Sequence, residues 1–540
     1  MNRQIRRLGV AVLVLFTALF AQVNYLQVFH AKALTDDPRN TRRIIQTFSR
    51  PRGTIVSADG TVLARSKPSG DEFKYRREYP EKNLFGFVTG YFNFNFGATG
   101  VESSYNEELA GDVPALRLSR LRDLFVNEVN VGNVRLTIRK DVQQVAAAAL
   151  GANKGSVVAL DPRTGAVLAF WSNPSYDPNL LSSNDSAAGQ RKLLLDKSPD
   201  HPLLPKMYRE VFPPGSTFKV VTSSVGLQTG KVTPAAPVYP QGTSFNIDFT
   251  NRDLANFGGE RCGGALFEIL RVSCNSAFAA MGSQTIGPPL MVQGAESFGF
   301  NSKPPIDLPA AASSRFPTSF PANQGNGPIA RASIGQGDVV ATPLQMAMVA
   351  AAVANKGQMM VPHVLDRITD KNGKVIRTYQ PKVWKTPLAP PNAETMRQAM
   401  LGVAASGTAT RLQIPGYEVG GKTGTAQIGS DRSHAWIIGF AGPPGDARVA
   451  VAVIIENQPG ASEFTGGRIA APVGQQVMAK VLQDMAAAGQ LGTGSTPPGT
   501  TPGQPPTSAP ATPPPTTPSV PATSQPPATV TTPTTPTSRP

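Results

Sequence analysis

Apolar and polar positions divide the 540 residues into stretches of different period. The first stretch is apolar on every side. No charge interrupts it from Leu8 to Val23, and the apolar character continues through Tyr25, Leu26 and Val28. About 20 such residues span a bilayer as a helix, so a membrane anchor is predicted over 8–28. Residues 29–133 show no sustained period; charged runs alternate with short aromatic strands such as "YFNFNF". The pattern then becomes regular. Val134, Leu136 and Ile138 alternate as a short strand. Asp141 is placed to cap a helix through Leu150. Two apolar runs, "GSVVALDP" and "AVLAFWS", predict a β-hairpin around Asp161-Pro162-Arg163-Thr164-Gly165. Near the end, Ala435–Gly442 and Ala447–Asn457 read as strands separated by Pro443-Pro444-Gly445-Asp446. A helix follows, with Ile469, Val473, Val477, Val481 and Met485 along one stripe. Strands at both ends enclose a middle rich in helix and loop. That order predicts an α/β (α+β) domain over 134–488, with a helix-packed sheet built from both ends.

Composition changes the picture at the two termini. From about Leu491 the chain is almost only Pro, Thr, Ser, Gly, Ala and Gln. Such a segment cannot bury a core, so 489–540 is expected to be a disordered, extended tail. Lys and Arg number 51 against 36 Asp and Glu, a net charge of +15. That balance suits nucleic acid, an anionic membrane surface or an anionic polymer. Arg3, Arg6 and Arg7 precede the apolar run, so residues 1–7 should stay cytoplasmic and the domain behind should be exported. "TALFAQ" makes a poor cleavage site, which favours a retained single-pass anchor over a signal peptide. Export removes nucleic acid as a partner.

Cys262 and Cys274 are the two cysteines, so there is no disulfide framework and no C-x-x-C metal pattern. No metal or organic cofactor is expected. In an oxidising compartment the two are a candidate disulfide. Against it, "GALFEILRVS" between them reads as helix, and ten helical residues rise ~15 Å. A disulfide needs Cα atoms ~4.4–6.8 Å apart. A bridge would require Gly263-Gly264 to fold Cys262 back, or would displace Ser273 and Asn275.

The candidate chemistry begins at "EVFPPGSTFKVVTSS", Glu210 to Ser224. Pro213, Pro214 and Gly215 place a helix start at or near Ser216. A plain reading makes Ser216 an N-cap and Lys219 a solvated residue. However, Phe218, Val220, Val221 and Val225 point to a buried helix. Residues at i and i+3 share a face, so Lys219 would sit near the interior beside the serine. Burial lowers the pKa of an ammonium, and a neutral lysine can take the serine proton. The helix N-terminus favours the developing negative charge. Downstream lie Ser273-Cys274-Asn275 and Lys422-Thr423-Gly424-Thr425. S-x-x-K, S-D-N and K-T-G in this order form the active-site set of penicillin-interacting serine enzymes; here Cys274 stands in place of the aspartate, which the wider S-x-N pattern permits.

On these motifs the chain resembles the class B penicillin-binding proteins, monofunctional peptidoglycan D,D-transpeptidases, and is most similar to the actinobacterial penicillin-binding protein A group. "RPRGTIVSADGTVLA", "YPEKNLFGFVTGY" and "GATGVESSYNEELAG" are similar to family segments that build an extended, β-rich N-terminal pedestal, here 29–133. "GSVVALDPRTGAVLAFWSNPSYDPN" and "SIGQGDVVATPLQMA" are similar to signatures of the transpeptidase domain, whose fold is that of serine β-lactamases. The resemblance implies the following roles. Ser216 attacks a D-alanyl-D-alanine carbonyl, Lys219 is the general base, and Ser273 relays a proton to the leaving group. Asn275 holds Lys219 and the substrate amide. Lys422 supplies positive charge, Thr423 and Thr425 bind the substrate carboxylate, and Gly424 leaves room for the substrate backbone. The N–H groups of Ser216 and Thr425 form the oxyanion hole. β-Lactams should acylate the same serine. The implied partners are peptidoglycan stem peptides and a membrane glycosyltransferase of the shape-elongation-division family. Related readings on the same fold are a β-lactamase or β-lactam sensor, a D,D-carboxypeptidase, and a non-catalytic scaffold of a wall-synthesis complex. No E-x-x-x-N element lies between Asn275 and Lys422 to activate water, which disfavours the first. His434, the histidine near a motif, reads as structural.

Overall fold

A computed structural model describes residues 2–27, 48–71, 73–117, 130–183, 185, 187–429, 431–459 and 465–491. The tail expected over 489–540 lies outside these beyond Leu491, as does Val28 at the end of the predicted anchor. Asn2–Tyr25 form one helix with exposed apolar side chains throughout. Among the described residues it is the one helix long and apolar enough to cross a membrane.

The catalytic part is organised by a five-stranded antiparallel sheet. Its strands are β1 (Gly155–Leu160), β2 (Val167–Asn173), β3 (Glu418–Ile428), β4 (Arg432–Gly442) and β5 (Val449–Pro459). The order is β3-β4-β5-β1-β2, so the first and last strands of this sheet in the chain meet at β5–β1. The two hairpins β1–β2 and β4–β5 form where apolar runs flank a turn. Val449 to Ile455 are buried without alternation, which requires cover on both faces of the sheet. The helices between and after these strands are α1 (Lys219–Gln228), α2 (Leu266–Arg271), α3 (Asn275–Ala280), α4 (Pro343–Ala354), α5 (Pro390–Ser406) and α6 (Ala471–Ala487). Helices α4 and α6 pack on β4 and β5, and α5 packs on the edge strand β3 as well as on α1 and α2. The apolar stripe of α6 is buried at Val473, Val477 and Val481.

A second sheet has six strands, ordered Val375–Thr378, Leu365–Thr369, Asn133–Leu136, Ile55–Val56, Val62–Pro68 and Tyr75–Glu78. Ile55 pairs parallel with Val134, so the boundary placed near Asn133 falls inside this sheet. Short strands and one-turn helices, such as Gly100–Ser104 and Asn106–Ala110, share the segment before it. Within "YFNFNF" the strand is limited to Phe92–Asn93. Phe92 and Phe94 instead pack on Phe48, with ring centroids 4.4 and 5.8 Å away. Asp141 does not cap its helix. That helix runs Lys140–Leu150 with Arg139 at the N-cap position and no side-chain cap bond. Asp141 lies in the first turn, where its carboxylate accepts from Arg139 (2.9 Å) and Lys480 (2.9 Å). A negative charge is favoured there by the helix dipole as well as by its two cations.

Candidate active site

A groove of about 1000 Å³ opens along the edge strand β3. Ser216, Ser273, Asn275, Thr423 and Thr425 line it. Three of the sequence motifs therefore converge on one cleft, from parts of the chain more than 200 residues apart.

The chain reaches Ser216 through Pro213, Pro214 and Gly215, the last at φ 54°. Gly215–Phe218 form a 3₁₀ turn, and α1 follows from Lys219. Ser216 thus lies inside the turn, no side-chain cap bond forms there, and the N-cap alternative does not hold. Thr217 Oγ1 donates to Pro214 O (2.7 Å), which closes the turn from below. Phe218 anchors it, stacked on Phe316 at 5.4 Å and edge-on to Phe300 at 5.3 Å. Two glycines allow the close approach this needs. Gly335 of "SIGQG" sits at φ 73°, and a Cβ there would lie 2.2 Å from Gly215 O. Gly424 faces the same turn from β3, where a Cβ would meet Pro214 O at 2.9 Å and Thr217 Cγ2 at 3.0 Å. The missing side chain at Gly424 thus makes room for the Ser216 turn.

Lys219 lies beneath the groove and is fully buried, as is every residue of α1 up to Leu227. Its Nζ donates to Ser273 O (2.7 Å) and Asn275 Oδ1 (2.6 Å), and lies 3.2 Å from Ser273 Oγ. Burial pushes its pKa well below the ordinary lysine value, and the charge of Lys422 adds to that. A neutral amine has two hydrogens and one lone pair. Ser273 O and Asn275 Oδ1 can only accept, so they take both hydrogens. The lone pair is left for a hydroxyl. Lys422 is also buried, and burial lowers its pKa to about 7. Its Nζ donates to Ser273 Oγ (2.8 Å) and Thr423 O (3.0 Å). Ser273 Oγ therefore accepts from Lys422 and keeps its own proton to give. Neither lysine lines the groove directly; Ser273 connects both to it.

Ser273 sits at φ 61°, a left-handed conformation that costs a serine ~1–3 kcal/mol. It lies between α2 and α3. Helix α2 covers six residues, not the ten that "GALFEILRVS" suggested. Cys262–Gly264 instead form a strand paired with Tyr239–Gly242, which turns Cys262 back towards Cys274. The two sulfurs are bonded, with Cα atoms 5.7 Å apart. The fold-back at Gly263-Gly264 is thus the one the structure adopts, and Ser273 and Asn275 keep their contacts with Lys219.

Thr423 and Thr425 project from the same face of β3, as residues two apart on a strand do. Thr423 Oγ1 donates to Thr408 Oγ1 (2.6 Å), and Thr408 lines the groove too. Thr408 was not singled out in the sequence; a glycine-threonine pair after a helix is too common a signal. Asn256, Arg331 and Thr465 of the groove wall were likewise missed. His434 lies outside the groove lining, its Nδ1 accepting from Asn457 N (3.1 Å), and burial lowers its pKa to about 4. Among the described residues no cluster of His, Cys, Asp and Glu could hold a metal ion.

Residues 155–479 match the family model of the penicillin-binding protein transpeptidase domain, and 52–134 match that of the penicillin-binding protein A dimerisation domain. The chain is 38% identical to the peptidoglycan D,D-transpeptidase PbpA of Mycolicibacterium smegmatis, over 90% of this chain and all of that one. It is 36% identical to the PbpA of Mycobacterium tuberculosis, over 89% of this chain and 99% of that one. Among solved structures it is similar to penicillin-binding protein A from M. tuberculosis in its ceftriaxone acyl-enzyme complex. There the TM-score is 0.74 at 34% identity, covering 80% of this chain and 98% of that one. The penicillin G acyl-enzyme complex of the same protein matches with a TM-score of 0.73 at 33% identity, over 80% of this chain and all of that one.

Proposed function

The chain belongs to the penicillin-binding protein transpeptidases, and from that premise we propose that it crosslinks peptidoglycan stem peptides through an acyl-Ser216 intermediate. The observation that carries this is the environment of Lys219: a buried amine whose two hydrogens are engaged by Ser273 O and Asn275 Oδ1. Its remaining lone pair can take the Ser216 proton as Oγ attacks the carbonyl between the two D-alanines of a donor peptide. Lys219 Nζ makes no hydrogen bond to Ser216 here; catalytic bonds of this kind commonly tighten when substrate binds. The oxyanion would be held by the N–H groups of Ser216 and Thr425; β3 runs close to the Ser216 turn, where a Cβ on Gly215 would lie 3.1 Å from Thr425 O. Each such donor is typically worth ~3–4 kcal/mol of barrier. The intermediate collapses by breaking the C–N bond. Ser273 passes its proton to the departing amine and recovers one from Lys219. Thr423 and Thr425 bind the terminal carboxylate, with Lys422 contributing charge from below. The amine of a second stem peptide then attacks acyl-Ser216 and Lys219 takes its proton; the ester C–O bond to Ser216 breaks, Lys219 returns the proton to Oγ, and the crosslink forms. A β-lactam ring amide enters by the same first step and stays attached.

The same reading places the N-terminal helix in the cell membrane as a single anchor. Arg3, Arg6 and Arg7 are then cytoplasmic and the groove is on the outer side, beside a shape-elongation-division glycosyltransferase that supplies glycan strands. Protease added to spheroplasts should digest the catalytic part, and its protection would reverse the topology. Co-purification from detergent should retain the glycosyltransferase, and its absence would remove that partner. For the chemistry, penicillin should add one drug mass to the peptide carrying Ser216, and Ser216→Ala should abolish the adduct with the fold intact. Undiminished labelling of the Ser216→Ala protein would overturn the assignment.

A further inference from the structure

The Ser273-Cys274-Asn275 turn is held by a strap that the reaction itself does not use. Residues 239–264 leave the core, form the small hairpin Ser244–Phe245 with Leu254–Ala255, and return as the strand Cys262–Gly264. Three links tie this strap to the turn. The first is the Cys262–Cys274 bond. The second is Asn275 Nδ2 donating to Ala255 O (3.0 Å). The third is Asn256, which is buried and lines the groove. Its Oδ1 accepts from Ser276 N (2.8 Å), while its Nδ2 donates to Gly242 O (2.8 Å) and Glu260 O (3.0 Å).

The third link answers a deficit in the sequence. Cys274 occupies the N-cap of α3, where a serine, threonine, aspartate or asparagine would accept a hydrogen bond from the first turn. A sulfur engaged in a disulfide is a poor substitute, and α3 has no cap bond from its own N-cap side chain. Asn256 supplies the missing oxygen from another element. The residue it caps, Ser276, directly follows Asn275, whose Oδ1 holds Lys219.

We infer that Asn256 is a positioning residue for acylation: it caps α3 from the strap and so fixes Asn275 and the left-handed Ser273 against Lys219. This rests on the transpeptidase reading of the groove. Loss of the cap frees the Ser276 amide and lets the turn relax away from φ 61°, which removes an acceptor from Lys219 and misplaces the Ser273 hydroxyl. The chemical step is slowed, while groove binding through Thr423 and Thr425 is left in place.

The test is stopped-flow acylation of the full-length protein by a fluorescent penicillin at rising drug concentration. It separates the limiting acylation rate from the half-saturating concentration. Asn256→Ala should lower the limiting rate at least about tenfold and the melting temperature by several degrees, with the half-saturating concentration and disulfide near wild type. Asn256→Asp keeps an oxygen for Ser276 N–H while losing the two donors to Gly242 O and Glu260 O, and should recover part of that loss in rate. An Asn256→Ala protein acylated at the wild-type rate overturns the inference. So does an Asn256→Asp protein as slow as Asn256→Ala, since the cap would then not be what matters. Should Asn256→Ala fail to fold, Asn256→Asp decides alone: a limiting rate down tenfold or more refutes the cap. A wild-type protein that takes no drug on Ser216 refutes the transpeptidase reading, not the role of Asn256.

Discussion

At the scale of single residues the site is a problem of two buried lysines that meet one hydroxyl. Both have pKa values below the ordinary lysine value; burial is the main cause in each, and Lys422 adds its charge to the case of Lys219. Replacing Lys422 with methionine removes a positive neighbour, so the pKa of Lys219 should rise. The rising limb of acylation against pH, which reports Lys219 losing its proton, should move to higher pH in Lys422→Met. Penicillin labelling rates across pH 6–10 measure this, and an unmoved limb would show that the two amines are not coupled. Stability gives a second reading with a definite sign. In the unfolded chain Lys422 titrates near 10.4; in the fold it titrates near 7. Between these values the unfolded state binds more protons, so this group makes the wild type more stable as pH rises from 7 to 10. Lys422→Met lacks that term. The wild type should therefore gain stability relative to the variant over this window, by several kcal/mol in order of magnitude. Denaturant melts at pH 7 and pH 10 report it.

At the scale of elements, the site depends on how closely β3 approaches the Ser216 turn. Gly424→Ala should push the two apart, since the new Cβ would meet Pro214 O, Thr217 Cγ2 and Trp436 Cβ (3.1 Å) at once. Overpacking of this kind typically costs ~1–3 kcal/mol. Because the turn and strand pushed apart carry the proposed oxyanion hole N–H groups of Ser216 and Thr425, the acylation rate should fall as well. A variant acylated at full rate would show that Gly424 serves only the packing of β3. The same element scale shows what the sequence could and could not say. The hairpins β1–β2 and β4–β5 were legible because long apolar runs flank short polar turns, and burial on both faces keeps such runs apolar. The three motifs were legible because the chemistry demands a serine, an amine and hydroxyls at fixed spacings. The strap 239–264 was not. It holds through side chain to backbone bonds such as Asn256 Nδ2 to Gly242 O, which leave no hydrophobic period to read. The helix between the cysteines was overread for a related reason. Helical propensity ran through "GALFEILRVS", but the pairing of Cys262–Gly264 with Tyr239–Gly242 and the turn at Ser273 overrode it at both ends.

At the scale of the whole molecule, the segment before Asn133 is joined to the catalytic part by buried polar groups as well as by shared strands. Tyr105 donates to Asp307 (2.5 Å), and Asp307 also accepts from Val364 N (2.7 Å) and Leu365 N (3.0 Å). Deeper in the same segment, Glu102 is fully buried between two guanidinium groups. Arg52 Nε and Arg77 Nε each lie 2.6 Å from its carboxylate. Arg77 also donates to Gly53 O (2.6 Å), so the triad pins the start of "RGTIV" to the helix Gly100–Ser104. The two arginines hold the Glu102 pKa below the usual carboxylate value against the opposing effect of burial. Such a triad is weak evidence for stability as a whole, yet removing one partner is expensive, because the others stay buried and uncompensated. Glu102→Gln keeps the shape and deletes the charge that both cations face. It should destabilise the protein by ~3–5 kcal/mol and lower the melting temperature by several degrees. The triad shares no residue with the groove, so the folded variant should still take up penicillin at close to the wild-type rate at 25 °C. A melting temperature equal to wild type would mean that the guanidinium groups find water or backbone partners when the carboxylate is gone. A normal melting temperature combined with lost acylation would mean instead that the segment before Asn133 acts on the groove through the shared sheet.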